Sequence, residues 1–426
     1  MPYKMGSIDV HKRMLAVVTS DVEIDGEYQF ERRRLGTNPA ELRLLADWLL
    51  EQQVEEVVME STAQYWRPVW EALEQYWKPV CQKRQGARPT SGTRHLAQAH
   101  SNRALRGRKR DFADAERLLK RRVASELTSF VPDPEQRLGR TVTRAKYPQT
   151  RNRAQLQNRL EALLEEAHIK LSSLVSDLLG ASARRILKAL ADGETDPAAL
   201  AGLADYRLRA TPEQLRDALG ACQELNPVYR RLLKAVLEEL ELIDKQIAQL
   251  DQELADLLRP YQDQVERLAE VPGLGVDSAQ QIIAQVGATA GTFPSEGDLS
   301  SWVGVCPGDD ETAGVSRSHR SPKGNRPMRR ILNQAANAAV QQKGSIFELL
   351  YRRYVPRLGH NPTIGLIAHR LCRLIGKILH QGVRYQERGP TVSWKSKQRR
   401  AARMIHELRS LGYRIEPANS QSAVPA

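Results

Sequence analysis

The longest regular feature of this sequence is a run of apolar residues spaced alternately three and four positions apart. Its members are Leu233, Val236, Leu240, Ile243, Ile247, Leu250, Leu254 and Leu257. This spacing predicts a long α-helix with one apolar seam, which Pro260 ends. A second seam from Leu156 to Leu178 predicts another long helix. Because an apolar seam must be covered, we expect a coiled coil, either as an antiparallel pair within the chain or as part of a dimer contact.

The chain before these seams has a different pattern. Short β-branched runs at 4–10, 13–19 and 28–33 predict strands, and apolar spacing over 39–52 predicts a helix. An apolar run ending at Glu60, a helix around Trp66 and a further short run around Val80 follow. Strands interleaved with helices indicate an α/β domain with a mixed sheet.

The chain after Pro260 is expected to form a compact helical domain, with residues 271–275 (Val-Pro-Gly-Leu-Gly) as a turn between two helices. Residues 181–227 resemble short helices, and no function follows from them. From Ser393 onward the pattern is a basic helix followed by a tail rich in Ser, Ala and Pro.

The charge balance favours a polyanionic partner. The net charge is +13, and residues 83–159 hold 20 lysines and arginines against six acidic residues. Such clustering is typical of nucleic-acid binding, whereas a merely soluble surface would explain only the total. The four cysteines are far apart and form no disulfide or metal motif. With no signal peptide or membrane span in the pattern, a cytoplasmic protein is expected.

Four carboxylates stand out by position. Asp9 and Glu60 each end a predicted strand, and Asp111 and Asp114 lie three residues apart at the predicted start of a helix. Converging carboxylates are normally neutralised by hard divalent cations, here Mg²⁺ or Mn²⁺. Taken singly, Asp111 is explained as well by helix capping and Glu60 by a solvated strand end.

The surroundings of the acidic pair favour phosphate chemistry over a plain cap. The cations that flank it are Arg106, Arg108, Lys109, Arg110 and Arg117. His11 follows Asp9 closely, but a lone histidine is weak evidence for a metal ligand, so we assign it a structural role.

The helical domain carries two further candidate sites for nucleic acid. Gly273 and Gly275 would let backbone N–H groups approach phosphate, although a plain helix-connecting turn is an equal explanation. A polar segment with several hydroxyls then carries cations at every third position, which favours a phosphate clamp over a solvated basic loop. These cations are Arg317, Arg320, Lys323, Arg326 and Arg329.

These residues together resemble one family, the DEDD transposases of the insertion-sequence one-ten family, also called bridge-RNA-guided recombinases. The resemblance covers about residues 5–385. Its most specific parts are residues 8–12 (Ile-Asp-Val-His-Lys), Glu60, residues 107–115 (Gly-Arg-Lys-Arg-Asp-Phe-Ala-Asp-Ala), residues 129–132 (Ser-Phe-Val-Pro), the turn at Pro272 and Gly273, residues 304–324, and Arg329 with Arg330.

The resemblance implies a RuvC-like fold of the ribonuclease-H type at residues 1–150, a coiled-coil and helical insert at 151–262, and a mostly α-helical transposase domain at 263–388. Residues 389–426 would be a basic helix and tail. Asp9, Glu60, Asp111 and Asp114 would bind Mg²⁺ as a tetrad. A structured RNA encoded by the element would pair with donor and target DNA, so that base pairing reads the sequence. Homodimers that assemble into tetramers in a bacterial or archaeal nucleoid are also implied.

One position departs from the family pattern. Members carry a nucleophilic serine in a motif like Glu-Ser-Ala-Gly, and the matching residues 311–314 here are Glu-Thr-Ala-Gly. Thr312 keeps the hydroxyl, but its methyl group crowds in-line attack on phosphorus. Three outcomes follow: Thr312 is the nucleophile, Ser316 or Ser318 has taken over that role, or strand cleavage is impaired. Thr312 is the favoured nucleophile, and Ser318 is the next candidate.

Three functions are compatible with this sequence. The first is RNA-guided DNA recombination through a covalent hydroxyl-linked intermediate, with metals assisting the attack. The second is a resolvase-like, metal-dependent nuclease in which water attacks. The third is a non-catalytic nucleic-acid binder, against which the intact set of four carboxylates argues.

Overall fold

The computed structural model describes residues 3–22, 28–84, 91–97, 110–126, 131–307 and 321–387, a few isolated positions, and the backbone of two short strands between 310 and 318. The chain divides into two compact units, Met1–Asp133 and Pro134–Ala426. The division predicted at 150/151 falls inside a helix that begins at Pro134. Among the described helices, none combines the length and apolar character that crossing a membrane requires.

The N-terminal unit is built on a mixed five-stranded sheet with the order β3-β2-β1-β4-β5. β2 is antiparallel to both β1 and β3, whereas β4 is parallel to β1 and β5. The strands are β1 Tyr3–Val10, β2 Met14–Val22, β3 Glu31–Gly36, β4 Glu56–Glu60 and β5 Thr93–Ala97; the helices are α1 Pro39–Glu51, α2 Trp66–Ala72, α3 Lys78–Lys83 and α4 Asp111–Val123, and a π-helical turn at Leu73–Trp77 joins α2 to α3.

The sheet is buried on both faces because alternate residues of its central strands contribute to two apolar cores. Ile8 and Met59 pack in the core that includes α1 and α2. Met5 and Val58 pack in the core that includes α4. The predicted mixed sheet is therefore confirmed, with helices on each side.

Two details of the predicted sheet were wrong. The run around Val80 forms the helix α3, in which Val80 is 43% exposed, so it contributes no strand. The third strand begins at Glu31 and ends at Gly36, three residues later than the predicted 28–33. β5 was not predicted at all.

As far as it is described, the C-terminal unit is helical apart from a two-stranded hairpin. Its helices are α5 Pro134–Glu166, α6 Ala181–Asp192, α7 Pro197–Gly202, α8 Pro212–Ala218, α9 Pro227–Leu257, α10 Gln262–Ala269, α11 Val276–Val286, α12 Glu296–Val303, α13 Arg326–Ala339, α14 Ile346–Leu358 and α15 His360–Gln381; the hairpin strands are β6 Asp310–Thr312 and β7 Val315–Ser318, and short 3-10 turns lie at Leu171–Ser173, Gly220–Glu224 and Arg259–Tyr261.

The two long helices α5 and α9 form an antiparallel pair within the chain. Ion pairs join Lys146 to Asp251 and Arg153 to Asp244. Residues further along α5 thus contact residues earlier in α9, so the two helices run in opposite directions. The apolar residues from Leu156 to Leu178 and from Leu233 to Ile247 share one core with α6, whereas Leu254, further along α9, packs in the core of the helices that follow. This confirms the antiparallel pairing, although helix α5 starts and ends earlier than the predicted seam, at Pro134 and Glu166; the supercoil of a coiled coil stays a prediction.

The carboxylate of Asp244 ties α9 to α5 and α6. It accepts hydrogen bonds from Arg153 Nε at 2.7 Å and from Arg184 Nη2 at 2.5 Å. Burial alone would raise the pKa of Asp244, but the two arginines outweigh it and hold this pKa below its ordinary value. Since the pKa is lower in the folded than in the unfolded chain, the stabilisation is present at neutral pH and is lost as pH falls through the folded pKa.

We therefore expect Asp244→Asn to lower the free energy of unfolding by about 1–2 kcal/mol at pH 7, a range reduced for partial exposure. The difference from the wild type should shrink below about pH 4, where the unfolded carboxyl is protonated. Denaturant unfolding of the intact chain across this pH range measures it. Glu239→Gln, an exposed change on the same helix, is the matched control, and equal losses for the two variants would contradict the prediction.

The remaining helices, α10 to α15, surround a third large apolar core. As predicted, residues 271–275 connect two helices, here α10 and α11. The four cysteines are unpaired, and three of them are buried. Burial raises the pKa of the Cys372 thiol to about 12, as expected for an inert core thiol.

Candidate active site

The carboxyl ends of β1 and β4 place Asp9 and Glu60 at one edge of the sheet. The parallel register pairs Ile8 with Met59, so Asp9 and Glu60 follow as the next residues of each strand. Each is separated by an even number of positions from a residue of its own strand that faces α4: Asp9 from Met5 on β1, and Glu60 from Val58 on β4. Their side chains therefore project from the α4 face of the sheet.

Helix α4 brings a third carboxylate to this edge. At its far end, Arg122 Nε donates to Glu56 Oε1 at 2.7 Å, next to the start of β4. Burial raises the pKa of Glu56, but contacts with His95 and Arg122 outweigh this and leave the pKa lowered. Since α4 thus runs opposite to β1 and β4, its first residue, Asp111, lies near their carboxyl ends.

Asp9, His11 and Asp111 form the centre of the site. His11 Nε2 lies 3.1 Å from Asp9 Oδ2 and 3.3 Å from Asp111 Oδ1. One ligand atom from each of the three residues lies within 4.8 Å of the other two. Asp9 is 2% exposed, and Arg34 Nη2 lies 4.0 Å from Asp111 Oδ2.

This donor set fits a divalent cation. Two carboxylate oxygens and an imidazole nitrogen are ligands for Mn²⁺ and similar ions, and the carboxylates alone suit Mg²⁺. Burying Asp9 beside a second carboxylate is unfavourable unless a positive charge compensates it. A bound cation would supply that charge.

Glu60 and Asp114 lie beside this group without joining it, as far as the described residues extend. Thr62 Oγ1 donates to Glu60 Oε1 at 3.3 Å. Asp114 is buried and forms an ion pair with Arg117. Of the four predicted carboxylates, the structure thus brings Asp9 and Asp111 into one cluster.

Sequence reasoning passed over His11, to which it gave a structural role. The signal that could have found it is its position two residues after Asp9, because strand alternation places those two side chains on the same side. Among the predicted phosphate-binding cations, Arg110 is exposed at the N-cap position of α4. Arg106, Arg108 and Lys109 lie outside the described residues.

The hydroxyl-bearing segment of the C-terminal unit folds as the β6–β7 hairpin. Thr312 pairs with Val315, and Glu311 pairs with Ser316. Thr312 thus ends β6, while Ser316, Arg317 and Ser318 lie on β7. Only the backbone of these residues is described, so their side-chain roles stay predictions, and Arg320 lies outside the described residues.

The following cations lie just before helix α13 and in its first turn. Lys323 and Arg326 are exposed, and Arg329 Nη1 donates to the backbone oxygen of Pro322 at 3.0 Å. Asn325 caps the helix by accepting from Met328 N at 2.9 Å. These contacts hold the end of the hydroxyl-bearing segment against α13.

The two glycines of the 271–275 turn differ in their surroundings. Gly273 has φ = +83°, and a Cβ atom there would lie 2.2 Å from the backbone oxygen of Ala335. Gly275 directly precedes α11, and a Cβ atom there would meet nothing within 4 Å. Gly273 is thus required for packing against α13, whereas only Gly275 leaves open space for a phosphate.

Two family models match this chain, one over residues that include the carboxylate cluster and the other over residues that include the β6–β7 hairpin. A DEDD transposase model of the IS110 group matches residues 7–169, which include all four predicted carboxylates. A model described as "Transposase IS116/IS110/IS902 family" matches residues 265–352, which include the turn at Gly273 and the β6–β7 hairpin. The chain belongs to the IS110 family of DEDD transposases.

The chain is also similar to a protein whose name describes it as a transposase. The chain is 27% identical over 185 residues to the transposase-named protein y4pF/y4sB of Sinorhizobium fredii. The match covers 41% of this chain and 46% of that relative, about half the length of each. Residues 170–264, which include α6 to α9, lie between the two matched ranges of this family member.

Proposed function

We propose that this IS110-family member is an enzyme that cleaves and exchanges DNA strands during transposition of an insertion sequence. The observation that carries the proposal is the meeting of Asp9 and Asp111 at the carboxyl edge of the sheet, inside the range that matches the DEDD transposase model. A buried carboxylate beside a second one, next to basic sequence, suits cation-assisted phosphate chemistry.

The proposed fold of the N-terminal unit is RuvC-like, of the ribonuclease-H type. Its support is the strand order, in which an antiparallel hairpin extension precedes parallel β4 and β5. In such a sheet the end of the central strand presents an acidic residue where neighbouring elements converge. Asp9 occupies that position on β1.

Asp9 and Asp111 would hold Mg²⁺ or Mn²⁺, with Glu60 and Asp114 completing the tetrad. When bound, the metal would neutralise the charge of the phosphate under attack and of the departing oxygen. Asp114, which forms an ion pair with Arg117, would turn toward the cluster to join the other ligands. His11, in contact with both Asp9 and Asp111, would fix the orientation of these two carboxylates.

The proposed nucleophile is the hydroxyl of Thr312, with Ser318 as the alternative. Its oxygen would bond to phosphorus as the bond from phosphorus to one DNA strand breaks, and the released strand end would take up the proton. The phosphodiester energy is kept in the protein–DNA bond, so strands can be exchanged without another energy source. The cations from Arg317 to Arg329 would hold the phosphate oxygens.

Donor DNA, target DNA and a structured RNA encoded by the element are the proposed partners. The support is the excess of cations in residues 83–159, which suits recognition of a nucleic-acid backbone while base pairing reads the sequence. Assembly as dimers that pair into tetramers is part of the same proposal. The antiparallel pairing of α5 with α9 covers much of both seams within one chain, so a dimer contact would use other surfaces.

The decisive experiment is a search for a covalent protein–DNA adduct. The protein would be incubated with RNA from the flanks of its element, donor and target DNA, and Mg²⁺, and then separated on a denaturing gel. We expect an adduct in the wild type, none in Thr312→Ala, and faster formation in Thr312→Ser because the crowding methyl group is gone.

Ser316→Ala and Ser318→Ala are matched controls on the same hairpin, and both should retain the adduct. An adduct that survives Thr312→Ala but disappears in Ser318→Ala would move the nucleophile to Ser318. Cleaved DNA without any adduct would contradict the covalent mechanism and indicate a hydrolase in which water attacks.

A further inference from the structure

The C-terminal unit contains a groove of about 870 Å³ whose lining includes residues on each side of the segment 308–320. One wall is a face of α15, and the other walls come from α14 and from the residues after α12. All of these elements belong to the same unit. The candidate active site described above uses none of the helix residues that line this groove.

The α15 wall is positively charged. Arg370, Arg373 and Lys377 are exposed along it, three and four residues apart, so they share one face of the helix. Glu296 is the acidic residue among those lining the groove, and Arg373 Nη2 donates to its Oε1 at 3.1 Å. Among the described residues that line the groove, Arg370 and Lys377 face no other acidic side chain, so both can bind an anion.

The rest of the lining is largely apolar. The contributing side chains are Val305, Pro307, Ile346, Phe347, Leu350, Pro362, Leu366 and Leu374. Cationic and apolar surfaces side by side match an unpaired nucleic-acid strand, in which phosphates alternate with bases whose flat faces need cover. A duplex would offer the groove phosphates alone, because its bases are stacked and paired.

The groove is also lined by the residues that flank the hydroxyl-bearing segment of the chain. Cys306 and Pro307, which immediately precede residues 308–320, line it, and so does Ser321, which immediately follows them. A strand held in the groove would therefore lie next to the segment that carries Thr312, Ser316 and Ser318.

The chain's own C-terminal segment is a poor match for this surface. Residues 388–426 hold eight lysines and arginines against two acidic residues. Their positive charge would be repelled by the cations of α15, whereas a polyanion is attracted by them.

We propose that this groove binds a single strand of DNA and delivers it to the hydroxyl-bearing hairpin. That the bound strand is DNA rests on the proposed function. Arg370 and Lys377 contact phosphates, and Leu366 and Leu374 cover the bases. His369 adds a neutral donor or acceptor to this wall, because burial, reinforced by the neighbouring arginines, lowers its pKa.

The test uses the full chain and a short fluorescent oligothymidine in EDTA, with binding measured by fluorescence anisotropy. Gly365 lines the groove, and a Cβ atom there would meet nothing within 4 Å. Gly365→Glu places a negative charge in the groove without a clash and is expected to weaken binding at least about tenfold. Gly365→Ala, the matched control, should change it less than about twofold.

Two further measurements locate the strand. The logarithm of the binding constant falls linearly with the logarithm of the salt concentration. Arg370→Gln should make this slope shallower by about 0.7, the contribution of one phosphate contact to a single strand. Arg353→Gln on α14, outside the groove, should leave the slope unchanged. Photocrosslinking with 4-thiothymidine should label residues 346–350 or 366–374. Equal affinities of Gly365→Glu and Gly365→Ala with crosslinks elsewhere would overturn the proposal.

Tighter binding of oligouridine, lost equally in Gly365→Glu, would overturn the assignment to DNA. Because the assay contains neither divalent metal nor guide RNA, it does not depend on strand cleavage. Loss of the adduct with intact groove binding would count against the proposed function alone.

Discussion

Replacing Asp9 with asparagine is expected to lower the rate of DNA strand cleavage about a thousandfold, or roughly 4 kcal/mol of transition-state stabilisation. Asp9 is buried at the end of β1, and its Oδ2 lies 3.1 Å from His11 Nε2 in the cluster that includes Asp111. Asparagine keeps the shape but removes the charge that a divalent cation needs. The remaining ligands would hold the cation more weakly and in a different position.

Thermal unfolding with and without Mn²⁺ separates a lost metal site from a damaged fold. The wild type should gain stability as Mn²⁺ is added, because a ligand that binds only the folded state raises its unfolding temperature. Asp9→Asn should unfold at a similar temperature without metal and gain little from it. Asp47→Asn, an exposed change on α1 of the same unit, should behave like the wild type in cleavage and in metal response.

Full cleavage by Asp9→Asn, with an unchanged response to Mn²⁺, would remove Asp9 from the proposed site. Loss of cleavage with an intact metal response would instead indicate that Asp9 acts on the substrate directly. The combination of both losses is what the cluster geometry predicts.

The parts of the fold that could be predicted from sequence are those specified by local apolar patterns. β1, β2, β4 and α1 lie close to where their patterns placed them, because their buried residues recur at the period of a strand or a helix. The α5–α9 pairing was one of the two arrangements that the apolar seams predicted, the other being a dimer contact. The ends of β1 and β4 were enough to indicate that Asp9 and Glu60 share one edge.

β5 could not be predicted because its stability comes from tertiary contacts. In Thr93–Ala97 only Ala97 is buried, so no apolar pattern marks the strand. Arg94 stacks over the ring of Trp70 at 4.5 Å and donates to Glu74 Oε1 at 3.0 Å. Since these contacts join residues far apart in the chain, the sequence shows only a charged residue without an apolar pattern around it, which predicts a loop.

The same limitation applies to His11 and to the groove. The contact of His11 with Asp111 joins residues one hundred positions apart, and the groove is formed by side chains from four separate stretches of the chain, 296–307, Ser321, 346–350 and 361–377. Local patterns describe each segment but not the space between them.

The Gly273→Ala substitution is expected to lower the free energy of unfolding by at least about 3 kcal/mol, since it combines backbone strain with overpacking. Gly273 has φ = +83°, which an alanine adopts only with strain, and its Cβ atom would lie 2.2 Å from Ala335 O and 2.7 Å from Ala339 N. The obstacles are backbone atoms of α13, so no side-chain rotation relieves them. Either the turn or helix α13 must shift.

Gly275→Ala is the matched control in the same turn, because its Cβ atom would enter open space. Denaturant unfolding of the intact chain should show a large shift for Gly273→Ala and little change for Gly275→Ala. Comparable stability of the two variants would show that α13 yields easily and that the close approach is not required.

The pair also separates packing from nucleic-acid binding at this turn. If backbone N–H groups at the start of α11 bind phosphate, Gly275→Ala should weaken DNA binding while leaving stability unchanged, because a methyl group would stand where the phosphate approaches. Gly273→Ala would weaken binding only as far as it unfolds the turn, so its loss of affinity should follow its loss of stability. If Gly275→Ala is stable and its affinity for DNA is unchanged, the turn does not bind phosphate, and its role is to pack against α13.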